Sequence, residues 1–211
     1  MVCYRVPIKR GQSRVDIRGP DIMNWIKAFV PAFAVLMAAA PATAQSSFLQ
    51  GDFVSAVRSR DGNKAMDLLR SKGNIVLNTR DDKGETALIV AISRRDDQWT
   101  GFLLNQGADP NLAARSGDTP LIAAARVGYL GAAADLVRLR AKVDAANRMG
   151  ETALIVAVQQ RQKEIVKLLL AAGANPDRAD SAAGLTARDY AKRDTRSRDI
   201  LKLIEAKKPN A

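Results

Sequence analysis

The chain has no histidine, a single cysteine and few aromatic residues, 5% of its 211 positions. Without histidine it cannot assemble a Ser-His-Asp or Cys-His catalytic group, and most zinc sites are closed to it as well. No glycine-rich phosphate loop of the Walker or dinucleotide type is present. Adjacent carboxylates occur only at Asp81-Asp82 and Asp96-Asp97, which read as a hairpin tip and a turn between helices. A glycosidase needs facing carboxylates on separate elements, and a calcium loop needs alternating ligands; neither pattern occurs. Catalytic residues, metal ligands and cofactor-binding residues are therefore expected to be none. With so few aromatics, the core must be built from Ala, Leu, Ile and Val.

Basic clusters are absent too, although 33 basic side chains outnumber 22 acidic ones for a net charge of +11. The basic residues do not form a run, and no zinc-finger, helix-turn-helix or RNA-binding signature accompanies them, so no nucleic acid is expected as partner. Anionic lipid headgroups, envelope polymers or an acidic protein fit this charge better.

What is present is a repeat. Gly84-Glu85-Thr86-Ala87-Leu88 returns as Gly117-Asp118-Thr119-Pro120-Leu121, as Gly150-Glu151-Thr152-Ala153-Leu154 and as Gly184-Leu185-Thr186-Ala187-Arg188. The glycines step by 33, 33 and 34 residues, a period that marks a solenoid whose units are stable only against their neighbours. Each Thr precedes an apolar run and can cap a helix start, and Pro120 suits a first helical position. A second helix carries Leu103-Leu104 or Leu168-Leu169 at core spacing and ends at Gly107 or Gly173, where glycine takes the left-handed conformation cheaply. Asp109-Pro110-Asn111 and Asn175-Pro176-Asp177 then form turns into the next unit. Arg140 stands where the other copies have glycine, so a left-handed backbone there would be strained.

These residues resemble the ankyrin repeat, whose signature runs Gly-x-Thr-Pro-Leu-His-x-Ala, a leucine pair, then Gly-Ala-Asp-x-Asn. The resemblance is specific over Asp81–Asp180 and weaker over Phe48–Arg80 and Ser181–Lys208. It implies an all-α ankyrin-repeat solenoid of stacked helix-turn-helix units with hairpin tips, about five units including caps. These are an N-terminal capping repeat over 45–80, full repeats over 81–113, 114–146 and 147–180, and a C-terminal capping repeat and tail over 181–211. The family's His position holds Ile89, Ile122, Ile155 and Asp189, so apolar packing is expected to replace that residue's hydrogen bonds. Arg188 replaces the core leucine of the last copy, which suits a capping unit with one wet face.

The first 44 residues stand outside the array. Residues 1–22 read as an upstream extension or a long basic n-region, with Met23 the favoured start. Residues 23–44 read as a signal peptide: a short positive start, an apolar stretch from Ala28 to Ala40, and small residues before a cut between Ala44 and Gln45. The stretch is too short for a permanent membrane span, which needs about 20 residues; retention as an anchor is the rival reading. Cys3 is not placed for lipid attachment, and a product beginning at Gln45 has no cysteine, which fits an oxidising compartment. Residues 1–44 carry six basic and two acidic side chains, so the remaining 167 residues carry 27 and 20, a net of +7.

The resemblance places partner binding on the hairpin tips and the exposed side of each first helix. By position these are Asp82, Lys83 and Glu85; Arg115, Ser116 and Asp118; Arg148, Met149 and Glu151. The helix ends add Ser93 with Arg94, Arg126 with Val127, Gln159 with Gln160, and Arg193. Arg94, Arg126 and Arg193 would form an interrupted basic ladder for an acidic protein surface. Met149 offers an adaptable apolar contact or packs on the next hairpin. The expected function is a non-catalytic interaction module or scaffold, a monomer exported to a bacterial periplasm to bind one or a few envelope proteins. The alternatives are a secreted effector or immunity-type protein, and a cationic envelope protein held by anionic polymer or lipid.

Overall fold

A computed structural model describes residues 52–206 of the chain. Residues 1–22 and the leader expected over 23–44, with its cut between Ala44 and Gln45, lie outside the described residues. Among the described residues ten α-helices follow in five consecutive pairs: α1 (52–59) with α2 (Gly62–Lys72), α3 (Ala87–Ser93) with α4 (Asp97–Asn105), α5 (Pro120–Val127) with α6 (Leu130–Arg138), α7 (Ala153–Gln159) with α8 (Lys163–Ala171), and α9 (Ala187–Arg193) with α10 (Arg198–Ala206). Among the described residues β-pairing is limited to isolated bridges such as Arg80 with Thr86 and Ala146 with Thr152, which close the hairpins between pairs. The fold is the all-α repeat solenoid that the 33-residue period implies. No helix of the described residues is long and apolar enough to cross a membrane.

Each full unit starts at a buried threonine. The hydroxyls of Thr86, Thr119 and Thr152 accept the N–H groups of Ile89, Ile122 and Ile155 at 3.2, 3.2 and 3.3 Å, satisfying a donor that the helix start leaves open. At Thr186 the bond is reciprocal, because the carboxylate of Asp189 accepts the Thr186 N–H at 3.1 Å while the Asp189 N–H donates to the hydroxyl. The helices that follow are buried almost all round: Ala87–Ile92, Leu121–Ala125 and Ala153–Val158 lie in the core. Their alanines allow α3, α5, α7 and α9 to stack in a row, with α6, α8 and α10 packed behind them. Ile89, Ile122 and Ile155 are at most 4% exposed, so apolar packing does fill the family's His position. Of each leucine pair only one member is fully buried, Leu103 and Leu169, while Leu104 and Leu168 are half-buried.

Successive units are fastened through their backbones. The N–H groups of Arg115, Arg148 and Ser181 donate to the carbonyls of Gly84, Ser116 and Met149 at 2.7, 3.3 and 2.8 Å. A β-carbon added to Gly117 would stand 2.7 Å from the Arg148 nitrogen, and one on Gly150 would stand 2.4 Å from that of Ser181. Both glycines also have positive φ, 87° and 77°. Space and conformation thus demand glycine at the same place in each tip. A second row of ties runs beneath: the side-chain oxygens of Asn78, Asn111 and Asp144 accept the N–H groups of Asp109, Lys142 and Asn175 at 2.9, 2.7 and 2.9 Å.

Arg140 has φ of 60°, left-handed like Gly107 and Gly173 in its place. The corner between first and second helices is left-handed as well, with Arg60, Arg95 and Arg161 at φ of 59°, 53° and 56° and Gly128 at 69°. The sequence pattern did not announce this second set. Each arginine reaches the following unit: Arg60 pairs with Asp96 and Arg161 with Asp194, both at 2.9 Å, and the Arg95 guanidinium lies 6.0 Å from the Tyr129 ring centroid. These contacts offset the cost of a non-glycine residue in that conformation. Burial, with a hydrogen bond to Asp97, pushes the Tyr129 hydroxyl up to about 12 and keeps it a donor. Arg188, in the place of a core leucine, turns back to Asp177 at 2.8 Å.

Two outcomes follow for stability. Arg140→Gly removes left-handed strain and is expected to add about 1 kcal/mol, seen by calorimetry as a melting temperature higher by about 2–4 °C; an unchanged or lower value would mean that Arg140 has compensating contacts. Gly117→Ala should lose about 2–3 kcal/mol in urea denaturation, from strain and from collision with the next hairpin. A neutral result would show that the hairpins can part freely.

Candidate partner-binding surface

The tips carry Asp82, Lys83, Arg115, Ser116, Arg148 and Met149 on the outside, with Met149 50% exposed. Glu85, Asp118 and Glu151 sit half-buried one step inward, each immediately before a capping threonine. Seven residues after Thr86, Thr119, Thr152 and Thr186 stand Ser93, Arg126, Gln159 and Arg193, at the ends of the first helices. Arg126 and Arg193 therefore share one register. Arg94 lies one residue further, with Val127 and Gln160, so the structure does not bring Arg94, Arg126 and Arg193 into a single line.

Two of these three arginines are engaged within the chain. Arg126 holds both oxygens of Asp118 at 3.0 and 3.1 Å and approaches Glu151 at 3.9 Å. The Arg94 guanidinium donates to the carbonyl of Arg58. Arg58 itself, two residues before the left-handed corner as Ser93 and Arg126 are, pairs with Asp81 and with Glu85 at 2.8 Å. Its hydrogen bond to Glu85 is the main influence raising its pKa above the ordinary arginine value. The sequence pattern does not point to Arg58, because the first unit lacks the threonine that sets the register. Lys83, Arg115 and Arg148 form no ion pair among the described residues.

The first residue of each hairpin explains how the carboxylates are held. Asp81, Asn147 and Asp180 each fold a side chain over their own tip: Asp81 accepts the Glu85 N–H at 2.9 Å, Asn147 accepts those of Met149 and Glu151 at 2.9 and 3.0 Å, and Asp180 those of Ala183 and Gly184 at 2.7 and 3.0 Å. The Asn147 amide also bridges Asp118 and Glu151, at 2.9 Å to each. The corresponding residue of the second full unit is Ala114, which has no such group; there Ser116 Oγ accepts the Asp118 N–H at 3.2 Å. Because Ser93 also stands where its neighbours have arginine, a notch of about 280 Å³ opens at this level, floored by Ile89, Ala114 and Ala123 and flanked by Glu85 and Asp118.

Residues 101–180 match the family model described as ankyrin repeats (3 copies), and residues 58–124 match that described as ankyrin repeats (many copies). Together the matches run from 58 to 180, more than half of the chain. The chain is 32% identical over 146 residues to the ANK repeat-containing protein nipk-1 of Caenorhabditis elegans, covering 61% of this chain and 24% of the relative. It is 35% identical over 102 residues to human neurogenic locus notch homolog protein 1, covering 47% and 4%. Similarity to a putative ankyrin repeat-containing protein of Treponema pallidum is 31% over 114 residues, covering 54% and 38%. The chain thus spans about a quarter of the nematode relative and a far smaller part of the human one.

The same hairpin hydrogen bonds predict an acid response in the C-terminal unit. Burial works against the charge of Asp180, but hydrogen bonds from Tyr190 and from the tip amides prevail and hold its carboxyl below the usual carboxylate range. Hydrogen bonds from Thr186 do the same for Asp189. A carboxyl with a depressed folded-state pKa stabilises fully above its unfolded value, near 4, and that stabilisation is lost as pH falls through the folded value. Protection of amides from exchange over 180–206, relative to the unfolded chain at the same pH, should therefore fall below about pH 4 before protection over 120–160 does, and Asp180→Asn should flatten the difference. Simultaneous opening of all units would contradict this.

Proposed function

The chain belongs to the ankyrin-repeat family, and from that premise we propose that its tips and concave face hold one or a few protein partners in a bacterial periplasm. Ankyrin repeats make it a protein–protein interaction module. The observation that carries the finer reading is the division of charge on this face. The carboxylates Asp81, Glu85, Asp118 and Glu151 are paired inward with Arg58 and Arg126. Arg115 and Arg148, on adjacent tips, are exposed and carry no ion pair among the described residues. Their guanidinium forks suit carboxylates on the partner, and backbone ties hold the two tips at a fixed separation. Export rests on the pattern of 23–44, with the cut after Ala44.

Association with anionic polymer or lipid through net charge alone is the weaker rival, since much of the basic charge on this face is neutralised at home. Salt separates the two: charge-only binding vanishes at moderate ionic strength and ignores where arginines stand, whereas a shaped interface resists salt and depends on placement. The decisive test is cross-linking in cells with the native leader retained, comparing the wild type with Arg115→Glu/Arg148→Glu. We expect one dominant envelope protein to be captured by the wild type and lost in the variant. Equal capture of many proteins by both would sink the reading.

A further inference from the structure

The notch at Ser93 and Ala114 differs from its neighbours by what is absent on both of its walls. One level up the stack, Arg58 reaches from the end of α1 to Asp81 and Glu85. One level down, Arg126 and the Asn147 amide together bridge Asp118 and Glu151. Between these two levels lie Glu85 and Asp118, and the positions that would supply their bridging donors hold Ser93, too short to reach across, and Ala114, with no donor at all. Glu85 uses Oε2 for Arg58 and leaves Oε1 without a hydrogen bond among the described residues; the Asp118 carboxylate takes Arg126 on both oxygens and Asn147 on Oδ1. Their side chains remain 35% and 22% exposed, so both can accept further hydrogen bonds.

From this we infer that the notch receives an arginine side chain of the protein partner, whose guanidinium bridges Glu85 and Asp118 as Arg126 and Asn147 bridge Asp118 and Glu151. The chemistry of the cavity matches that side chain along its length. Ile89, Ala114 and Ala123 provide an apolar floor for the methylene stem, and the carboxylates stand at the rim where the planar fork would lie. Lys83 and Arg126 also border the notch; Arg126 is turned to Asp118 and Glu151, and Lys83 is exposed at the tip with no ion pair among the described residues. The assignment deepens the binding reading above and rests on it: the tip arginines meet carboxylates of the partner, while the notch accepts a single basic residue, so the face selects an alternating pattern of charge.

The test titrates the full-length 15N-labelled chain with acetyl-Gly-Arg-Gly-amide, acetyl-Gly-Lys-Gly-amide and acetyl-Gly-Glu-Gly-amide. The arginine peptide should shift the amide signals of Glu85, Ser93, Ser116 and Asp118 saturably, and the glutamate peptide should leave them in place. Ser93→Arg fills the notch from within in the manner of Arg58, and should weaken the arginine peptide by about tenfold or more without lowering the melting temperature. Ala114→Leu blocks it from the other wall and serves if the first variant folds poorly. Shifts that persist in both variants, equal shifts with the glutamate peptide, or none with the arginine peptide would overturn the assignment, and equal affinity for lysine would overturn its guanidinium part. The titration needs no envelope partner, so its failure would remove the notch alone and leave the cross-linking of the tip variant to decide the wider reading.

Discussion

At Gly84, Gly117 and Gly150 the following hairpin comes so near that a β-carbon has no room, and the backbone hydrogen bond made there sets the spacing of the whole array. That contact is possible only if each tip keeps its left-handed glycine and each first helix is slim enough to stack. The apolar, alanine-rich α3, α5 and α7 meet the second condition. The capping threonine, two residues after the glycine, meets a third by starting the helix where the hairpin ends. Glycine, threonine and small apolar residues therefore recur together because one approach distance requires all of them.

Strain is tolerated in this array where the next unit compensates it. The left-handed corner arginines at 60, 95 and 161 each hold something on the unit that follows: a carboxylate at Asp96, a ring at Tyr129, a carboxylate at Asp194. Gly128, the one glycine in this set, would place a β-carbon within 2.5 Å of the Gln162 side chain. Units coupled this way are stable through their neighbours, and the unit over 181–206 adds local bonds of its own. The reciprocal cap of Thr186 with Asp189 and the Asp180–Tyr190 bond supply those.

The face formed by the tips and first-helix ends is not uniformly basic, although the whole chain carries a net charge of +11. Carboxylates just inside the tips take up Arg58 and Arg126, while the outermost Lys83, Arg115 and Arg148 have no ion pair among the described residues, and the pattern breaks at Ser93 and Ala114. Placement of charge, rather than its sum, is what such a surface can use to discriminate between partners.

The period, the threonine caps, the buried isoleucines and the left-handed turn at Arg140 were all legible in the chain, because each follows from the conformation of a few consecutive residues repeated at a constant interval. The separation of Arg94 from the register of Arg126 and Arg193 is legible too, in the distance of each from its capping threonine. Nothing local announced that Arg60, Arg95 and Arg161 would adopt positive φ, since the contacts that offset the strain lie in the next unit. The same holds for the side chains: a sequence marks Arg94 and Arg126 as exposed and basic, but the Arg58 carbonyl and the Asp118 carboxylate that occupy them are brought close only by stacking. Local conformation and its repetition decided the fold from sequence; the tertiary structure alone decided which charges are spent inside the array and which remain for a partner, because pairing depends on distances between units that no single unit encodes.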